Sequence, residues 1–308
     1  MTHRLALTLV LSAMGSCGCF AVADATFPTA ECHVLKSRVV VGEPTPIRIV
    51  LRNDTQETIT TRYARECDLA GADCQVSAYL ENNRVARWHD THDSTAVWAG
   101  RMEPGDILQC TKLVLFLVQP DGALDGPPVA LRPLGPGTYT VRVAISWRRE
   151  HPLEAGPVEV EVAVPARAED RCGAERVDNR FASWLSGGPP SEVLQECPGS
   201  IHVKLADEVA FVRKCVNWRA AASGPAGAKQ LRDLIEGMSE RLGGGKTHPF
   251  ELELLNARVE ILWKIEDFVL SRQAAEVLEP AIAALIGKYP HSTYAREAAK
   301  LGDKLQGE

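Results

Sequence analysis

The stretch Leu134-Gly135-Pro136-Gly137-Thr138-Tyr139 narrows the fold more than any other part of the chain. Pro136 presets φ for a turn, and Gly137 tolerates the positive φ that many turns demand. Tyr139 then stands where its hydroxyl can swing back to a nearby backbone group, the tyrosine corner at the entrance to strand F of a Greek-key sandwich. Beyond it Tyr139, Val141, Val143 and Ile145 alternate with Thr140, Arg142 and Ser146. That period of two buries one face of a strand and wets the other. Leu134, Pro136, Gly137 and Tyr139 are therefore structural candidates, and they name no chemistry.

The flanking sequence agrees. Val39 to Gly42, followed by Pro44, reads as a short edge strand, and Ile47, Ile49 and Leu51 alternate with Arg48, Val50 and Arg52 up to an Asn53-Asp54 turn. Met102-Glu103-Pro104-Gly105-Asp106 is a second Pro-Gly turn, and Leu113 to Val118 is apolar enough for one buried strand. Pro157 is expected to open a last strand, in which Val158, Val160, Val162 and Val164 alternate with Glu159, Glu161 and Ala163. Short strands between turn signals predict an all-β domain over residues 26–165. These residues resemble the immunoglobulin-like modules of exported bacterial proteins, which implies an immunoglobulin-like antiparallel β-sandwich. Asn53-Asp54-Thr55, Val85-Ala86-Arg87-Trp88, Glu103-Pro104-Gly105-Asp106 and Pro136-Gly137-Thr138-Tyr139 are also similar to the BsuPI-type proteinase-inhibitor sandwich. That second resemblance implies an inhibitory role.

From Pro165 the alternation stops, and residues 166–308 read as a small α-helical bundle or repeat-like helical hairpins. Val177, Phe181, Trp184 and Leu185 share one helix face. So do Leu205, Val209, Val212 and Val216, then Leu231, Leu234, Ile235, Met238 and Leu242. Pro249 can open a further helix, where Leu252, Leu255, Val259, Leu262 and Trp263 form a stripe. Pro280 is expected to kink or split the helix that contains it. Tyr289-Pro290-His291-Ser292-Thr293-Tyr294-Ala295, with Ser292 as N-cap, resembles the helix junction of tetratricopeptide-like repeats.

Residues 1–25 read as a signal peptide: a weakly basic start at His3 and Arg4, an apolar run from Leu5 to Met14, and small residues at Ala23-Asp24-Ala25. The alternative is a lipid anchor at Cys17 or Cys19. Either way the protein is expected to be exported, periplasmic or extracellular, with no transmembrane span in the mature chain. Export makes Cys67, Cys74, Cys32, Cys110, Cys172, Cys197 and Cys215 disulfide candidates. Cys67 and Cys74 flank a short loop and are the first expected pair, leaving Cys32 for Cys110. One of the other three thiols is expected to stay free or to pair between chains. A net charge of −6 disfavours nucleic acid as a partner.

His89-Asp90-Thr91-His92-Asp93 is the densest set of metal-ligand residue types, and His89, His92 and Asp93 are the candidate zinc ligands. An extended chain turns His89 and His92 to opposite faces, so a turn is needed to bring them together. Trp88 and Trp98 bracket this loop and are candidates for the rim of a binding site. Gly243-Gly244-Gly245-Lys246-Thr247 lacks the first glycine of a phosphate loop and follows a helix, so it reads as a linker. No motif implies a cofactor. The leading expectation is a non-catalytic binding or scaffold protein that engages a protein or cell-envelope component. The alternatives are a metal-assisted hydrolase at His89, His92 and Asp93, or an inhibitor-like sandwich.

Overall fold

A computed structural model of the chain describes residues 28–61, 74–81, 83–89, 100–118, 132–148, 151–185, 191, 193–221, 227–243, 248–266 and 272–306. The signal peptide with Cys17 and Cys19 lies outside them. So do Cys67, His92, Asp93, Trp98 and Lys246.

The first part is built from strands. β1 (Thr29–Val34), β3 (Thr45–Arg52) and β8 (Ile107–Val114) form one antiparallel sheet with β3 in the middle. A larger sheet runs in the order β10 (Arg132–Pro133), β9 (Leu117–Val118), β6 (Asn83–His89), β5 (Cys74–Leu80), β11 (Gly137–Arg148), β12 (His151–Ala163), β2 (Arg38–Val40). β4 (Ile59–Thr61) pairs with β7 (Gly100–Met102). Ile47, Ile49 and Leu51 of the small sheet share one core with Val76, Val141, Val143 and Ile145 of the large one. Each such side chain contributes about 1.5–3 kcal/mol by leaving water.

Two strands differ from the sequence expectation. The apolar run Leu113 to Val118 is not one strand: β8 ends at Val114 in the small sheet, and β9 begins at Leu117 in the large one. Leu115 and Phe116, both buried, carry the chain across the core. Nor does Pro157 open the last strand. β12 starts at His151, and Pro157 lies where its register against β11 shifts, between the pairs Val141↔Val158 and Val143↔Ala155. An irregularity of this kind tolerates the missing N–H of proline.

The second part is helical: α1 (Ala168–Arg176), α2 (Asn179–Leu185), α3 (Val193–Glu196), α4 (Ile201–Val216), α5 (Trp218–Ala221), α6 (Gly227–Leu242), α7 (Glu251–Glu266), α8 (Arg272–Lys288) and α9 (Thr293–Gln306). The sandwich core does not stop at Pro165. Val177, Phe181, Trp184, Leu185, Val203, Ala206 and Val209 pack into the same cluster as the two sheets. The buried face of α4 keeps Val209 and Val212 of the expected stripe but is rotated away from Leu205 and Val216. His202, Val203, Ala206, Val209, Val212 and Cys215 are buried, while Leu205 is half-buried and Val216 exposed. α7 is the central helix, with a stripe on each of two faces. Leu254, Ala257 and Ile261 meet α4 and α6, whereas Leu252, Leu255, Val259 and Leu262 meet α8 and α9. α8 runs unsplit through Pro280, which lies on its exposed side. The Ser292 hydroxyl accepts the Ala295 N–H at 3.0 Å and caps α9. Among the described residues no helix is long and apolar enough to cross a membrane.

Candidate functional site

A series of polar contacts runs along a seam where β8 meets the starts of α7 and α9. It begins with a buried asparagine. Asn53, at the end of β3, donates through Nδ2 to the carbonyls of Glu57 and Met102, both at 2.9 Å. Its Oδ1 accepts the Thr55 N–H at 3.0 Å and the Thr55 hydroxyl at 2.7 Å. The backbone of Asn53 is paired to Gly105 and Asp106, and Gly105 adopts φ +82°, which a side chain would resist. The Asn53-Asp54-Thr55 and Glu103-Pro104-Gly105-Asp106 segments are thus neighbours in space.

That turn aims Asp106 at the helical part. Arg296 Nη1 donates to both Asp106 carboxylate oxygens, at 2.6 Å to Oδ1. The Ile107 amide donates to the His291 carbonyl at 3.0 Å, and Ile107 bridges Ser292 as a parallel strand residue would. Further along β8 the Thr111 amide donates to Glu253 Oε1 at 2.7 Å, and the Thr111 hydroxyl to the Pro249 carbonyl at 2.8 Å. Behind Glu253, the Glu251 carboxylate receives Lys288 Nζ and, at 3.0 Å, the Tyr289 hydroxyl.

These contacts change proton affinities. Burial raises the Glu253 carboxyl to about 7, against weaker opposing effects from the Thr111 amide, its own amide, Arg48 and His248. Its Oε2 is buried with no hydrogen-bond partner. Burial, with Glu251 close by, pushes Tyr289 up to about 12. A second cluster adjoins the seam. The Phe250 N–H donates to His248 Nδ1 at 3.1 Å, which leaves Nε2 to donate to Glu208 Oε1 at 2.9 Å. Arg241 Nε donates to the same oxygen at 2.8 Å, and its guanidinium lies over the Phe211 ring. Burial would raise Glu208, but the bonds from His248 and Arg241 outweigh it and hold the carboxyl low. Glu253 Oε1, Glu208 Oε1, the Glu251 carboxylate and both Asp106 oxygens are bonded to side chains or to backbone, whereas Glu253 Oε2 is not. The arrangement joins β8 to the helical part and contains one buried carboxyl.

The residues singled out from sequence are distributed differently. Trp88 and His89 fall on β6, opposite Val76 and Gln75. Trp98, His92 and Asp93 lie outside the described residues. Tyr139 donates its hydroxyl to the Gly135 carbonyl at 2.9 Å. A Cβ at Gly137 would stand 3.3 Å from the Tyr139 ring. Leu134 is buried and its amide donates to the Phe116 carbonyl at 3.0 Å, while Pro136 is exposed.

Cys172 and Cys197 form a disulfide with Cα atoms 6.0 Å apart. Cys215 is a buried free thiol, pushed up to about 12 by burial. The expected pairing of Cys32 with Cys110 does not occur. Cys32 lies opposite Ile49 and Ile49 opposite Cys110, so a whole strand separates them. Two strand spacings amount to roughly 9–10 Å, beyond the ~7 Å Cα separation that a disulfide spans. Cys74 opens β5, but its expected partner Cys67 lies outside the described residues.

Sequence reasoning missed Thr111, Glu253, Arg296 and the buried His202. Glu253 carries one legible signal: it stands between Leu252 and Leu254 on a helix that is apolar on two faces.

No family model matches the chain, and no curated protein matches it. Among solved structures, the chain is similar to the CARDB domain of the PF1109 protein from Pyrococcus furiosus, which is described in complex with di-metal ions. The identity is 13%, over 45% of this chain and 96% of that one, with a TM-score of 0.22. It is also similar to Spo0M, a sporulation control protein from Bacillus subtilis. There the identity is 12%, over 52% of this chain and 55% of that one, with a TM-score of 0.25. The chain thus spans about half the length of Spo0M. Both likenesses are too distant to carry function.

Proposed function

We propose that this chain is an exported, non-catalytic binding or scaffold protein in which an immunoglobulin-like sandwich and a helical module present one surface to a protein or cell-envelope partner. The seam along β8 carries this reading. Contacts from Asp106, Ile107 and Thr111 lock the helices to the sandwich, and the displaced carboxyl of Glu253 is spent on that joint rather than held in an open cleft. A joint held at several points limits the relative motion of the two modules, and such preorganisation lowers the cost of binding a partner.

The immunoglobulin-like assignment is supported by strand order. β1, β3 and β8 take the places of strands A, B and E, and β5, β11 and β12 those of C, F and G. β2 runs parallel to β12, as the second half of a divided first strand does. The Tyr139 hydroxyl closing on Gly135 supports it further. The Tyr289-Pro290-His291-Ser292 turn between α8 and α9 supports a repeat-like hairpin. Export and cleavage or lipidation of residues 1–25 rest on sequence, and the Cys172–Cys197 disulfide is compatible with an oxidising compartment.

The test separates binding from turnover. The mature chain, immobilised, is expected to retain a component of envelope extract saturably and to release it to excess soluble chain. It is expected to hydrolyse no ester, peptide or phosphoester substrate with zinc restored. Zinc-dependent turnover that disappears in His89→Ala would replace this reading with the hydrolase. Stoichiometric slowing of a protease would assign the inhibitory role that the BsuPI-type resemblance implies.

A further inference from the structure

The helical region closes the outer edge of β8 where a neighbouring strand would otherwise pair. The Ile107 amide meets the His291 carbonyl, and four residues on the Thr111 amide meets Glu253 Oε1. Amides an even number of residues apart point to the same edge of a strand, so both belong to the row that an added strand would use. One acceptor is a peptide carbonyl and permanent. The other is a side chain that gains and loses a proton. We propose that the Glu253 carboxyl is a protonation-controlled latch, holding the edge of β8 against the start of α7 when neutral and loosening that contact when ionised.

The geometry makes the two states unequal. Glu253 Oε2 is buried and has no hydrogen-bond partner, so a charge placed on this carboxyl is left half unsolvated. Admitting water along the seam relieves it. The groups around it do not neutralise that charge. The Thr111 amide, the Glu253 amide, Arg48 on β3 and His248 before α7 all favour it, but burial outweighs them. His248 already donates to Glu208, and Lys288 and Tyr289, at the end of α8, are engaged by Glu251 of α7. Lys112, the charged neighbour on β8, is buried. Opening releases one proton to solvent. The opening constant therefore rises about tenfold per pH unit between an ordinary carboxyl value and about 7, and levels off above it.

Hydrogen exchange on the full chain tests this. After correction for intrinsic exchange, protection of the Thr111 amide is expected to fall about tenfold per unit between roughly pH 5 and 7 and then level. In Glu253→Gln, which stays neutral and still accepts from Thr111, the profile is expected to be flat. His248 remains in that variant, so any slope it causes survives there. Equal slopes in both proteins, or a flat wild type, overturn the latch. Should the variant fail to fold, the side-chain carboxyl carbon of Glu253 is followed in the wild type by NMR. A midpoint near 7 supports the latch, and one in the ordinary carboxylate range overturns it.

Discussion

Arg296, in the first turn of the last helix, donates through Nη1 to both carboxylate oxygens of Asp106, 190 positions earlier in the chain. Asp106 is held by the Asn53 turn, so one β-turn sets where the far end of the helical part docks. A charge-assisted hydrogen bond is worth about 1.5–3 kcal/mol. Arg296 is more than a third exposed, at 39%, which discounts that figure by solvent screening. Arg296→Ala is expected to cost about 1 kcal/mol, read as a lower urea midpoint with an unchanged slope. It is also expected to speed proteolytic cleavage near the seam. An unchanged midpoint would mean that Ile107 and Thr111 hold the joint without this pair.

Removing only the hydroxyl of Tyr139 isolates the corner. The ring is buried and stays so in Tyr139→Phe, but the Gly135 carbonyl loses its donor. The expected cost is about 1 kcal/mol, the net worth of one neutral hydrogen bond. Chemical denaturation measures it, and a cost near zero would show that water replaces the hydroxyl.

The Cys172–Cys197 bridge closes a loop with a sequence separation of 25. Loop entropy predicts a contribution of about 3 kcal/mol. Mild reduction, or the double substitution to Ala, is expected to lower the midpoint accordingly. Alkylation mapped by mass spectrometry provides a second reading. Cys215, buried and with its thiol pushed up to about 12, is expected to react only after unfolding.

Local rules made much of this fold readable. Pro136-Gly137 before Tyr139 and the alternation of Ile47, Ile49 and Leu51 depend on neighbours a few residues away. So do the stripe of α6 and the Ser292 cap. Errors arose where packing overrides local pattern. Leu113 to Val118 is apolar throughout because the chain crosses from one sheet to the other inside the core, and a continuous strand would look the same. Leu252 and Leu255 predicted one buried stripe on α7, whereas Leu254, Ala257 and Ile261 form a second that only the placement of α4 and α6 explains. The seam was least legible. Thr111 and Glu253 are 142 positions apart, and no local period connects them.

His202 illustrates a buried residue whose charge state the fold dictates, and it yields the last prediction. It pairs through Nε2 with the Val41 carbonyl at 2.9 Å, so that nitrogen carries the proton. Nδ1 is buried without a hydrogen-bond partner and faces Gly173, where a Cβ would come within 2.4 Å of it. Burial lowers the imidazole below its usual value, against weaker opposing effects from Val41, Glu43 and Asp170. The unfolded chain therefore binds this proton more readily than the folded one. The stability from a neutral His202 is fully present above about pH 6.5 and declines as pH falls below it, by at most ~1.4 kcal/mol per unit. Glu253 acts in the opposite sense, since its ionisation cost disappears as pH falls from about 7 toward an ordinary carboxyl value. Urea midpoints for Glu253→Gln should therefore expose the His202 decline undiluted, falling steadily from pH 6.5 downward. Adding His202→Gln, which can still donate to Val41, should remove that decline. A decline that persists without the imidazole would assign it to another group. Gly173→Ala is expected to cost about 1–3 kcal/mol at every pH, because the methyl and Nδ1 cannot share the space.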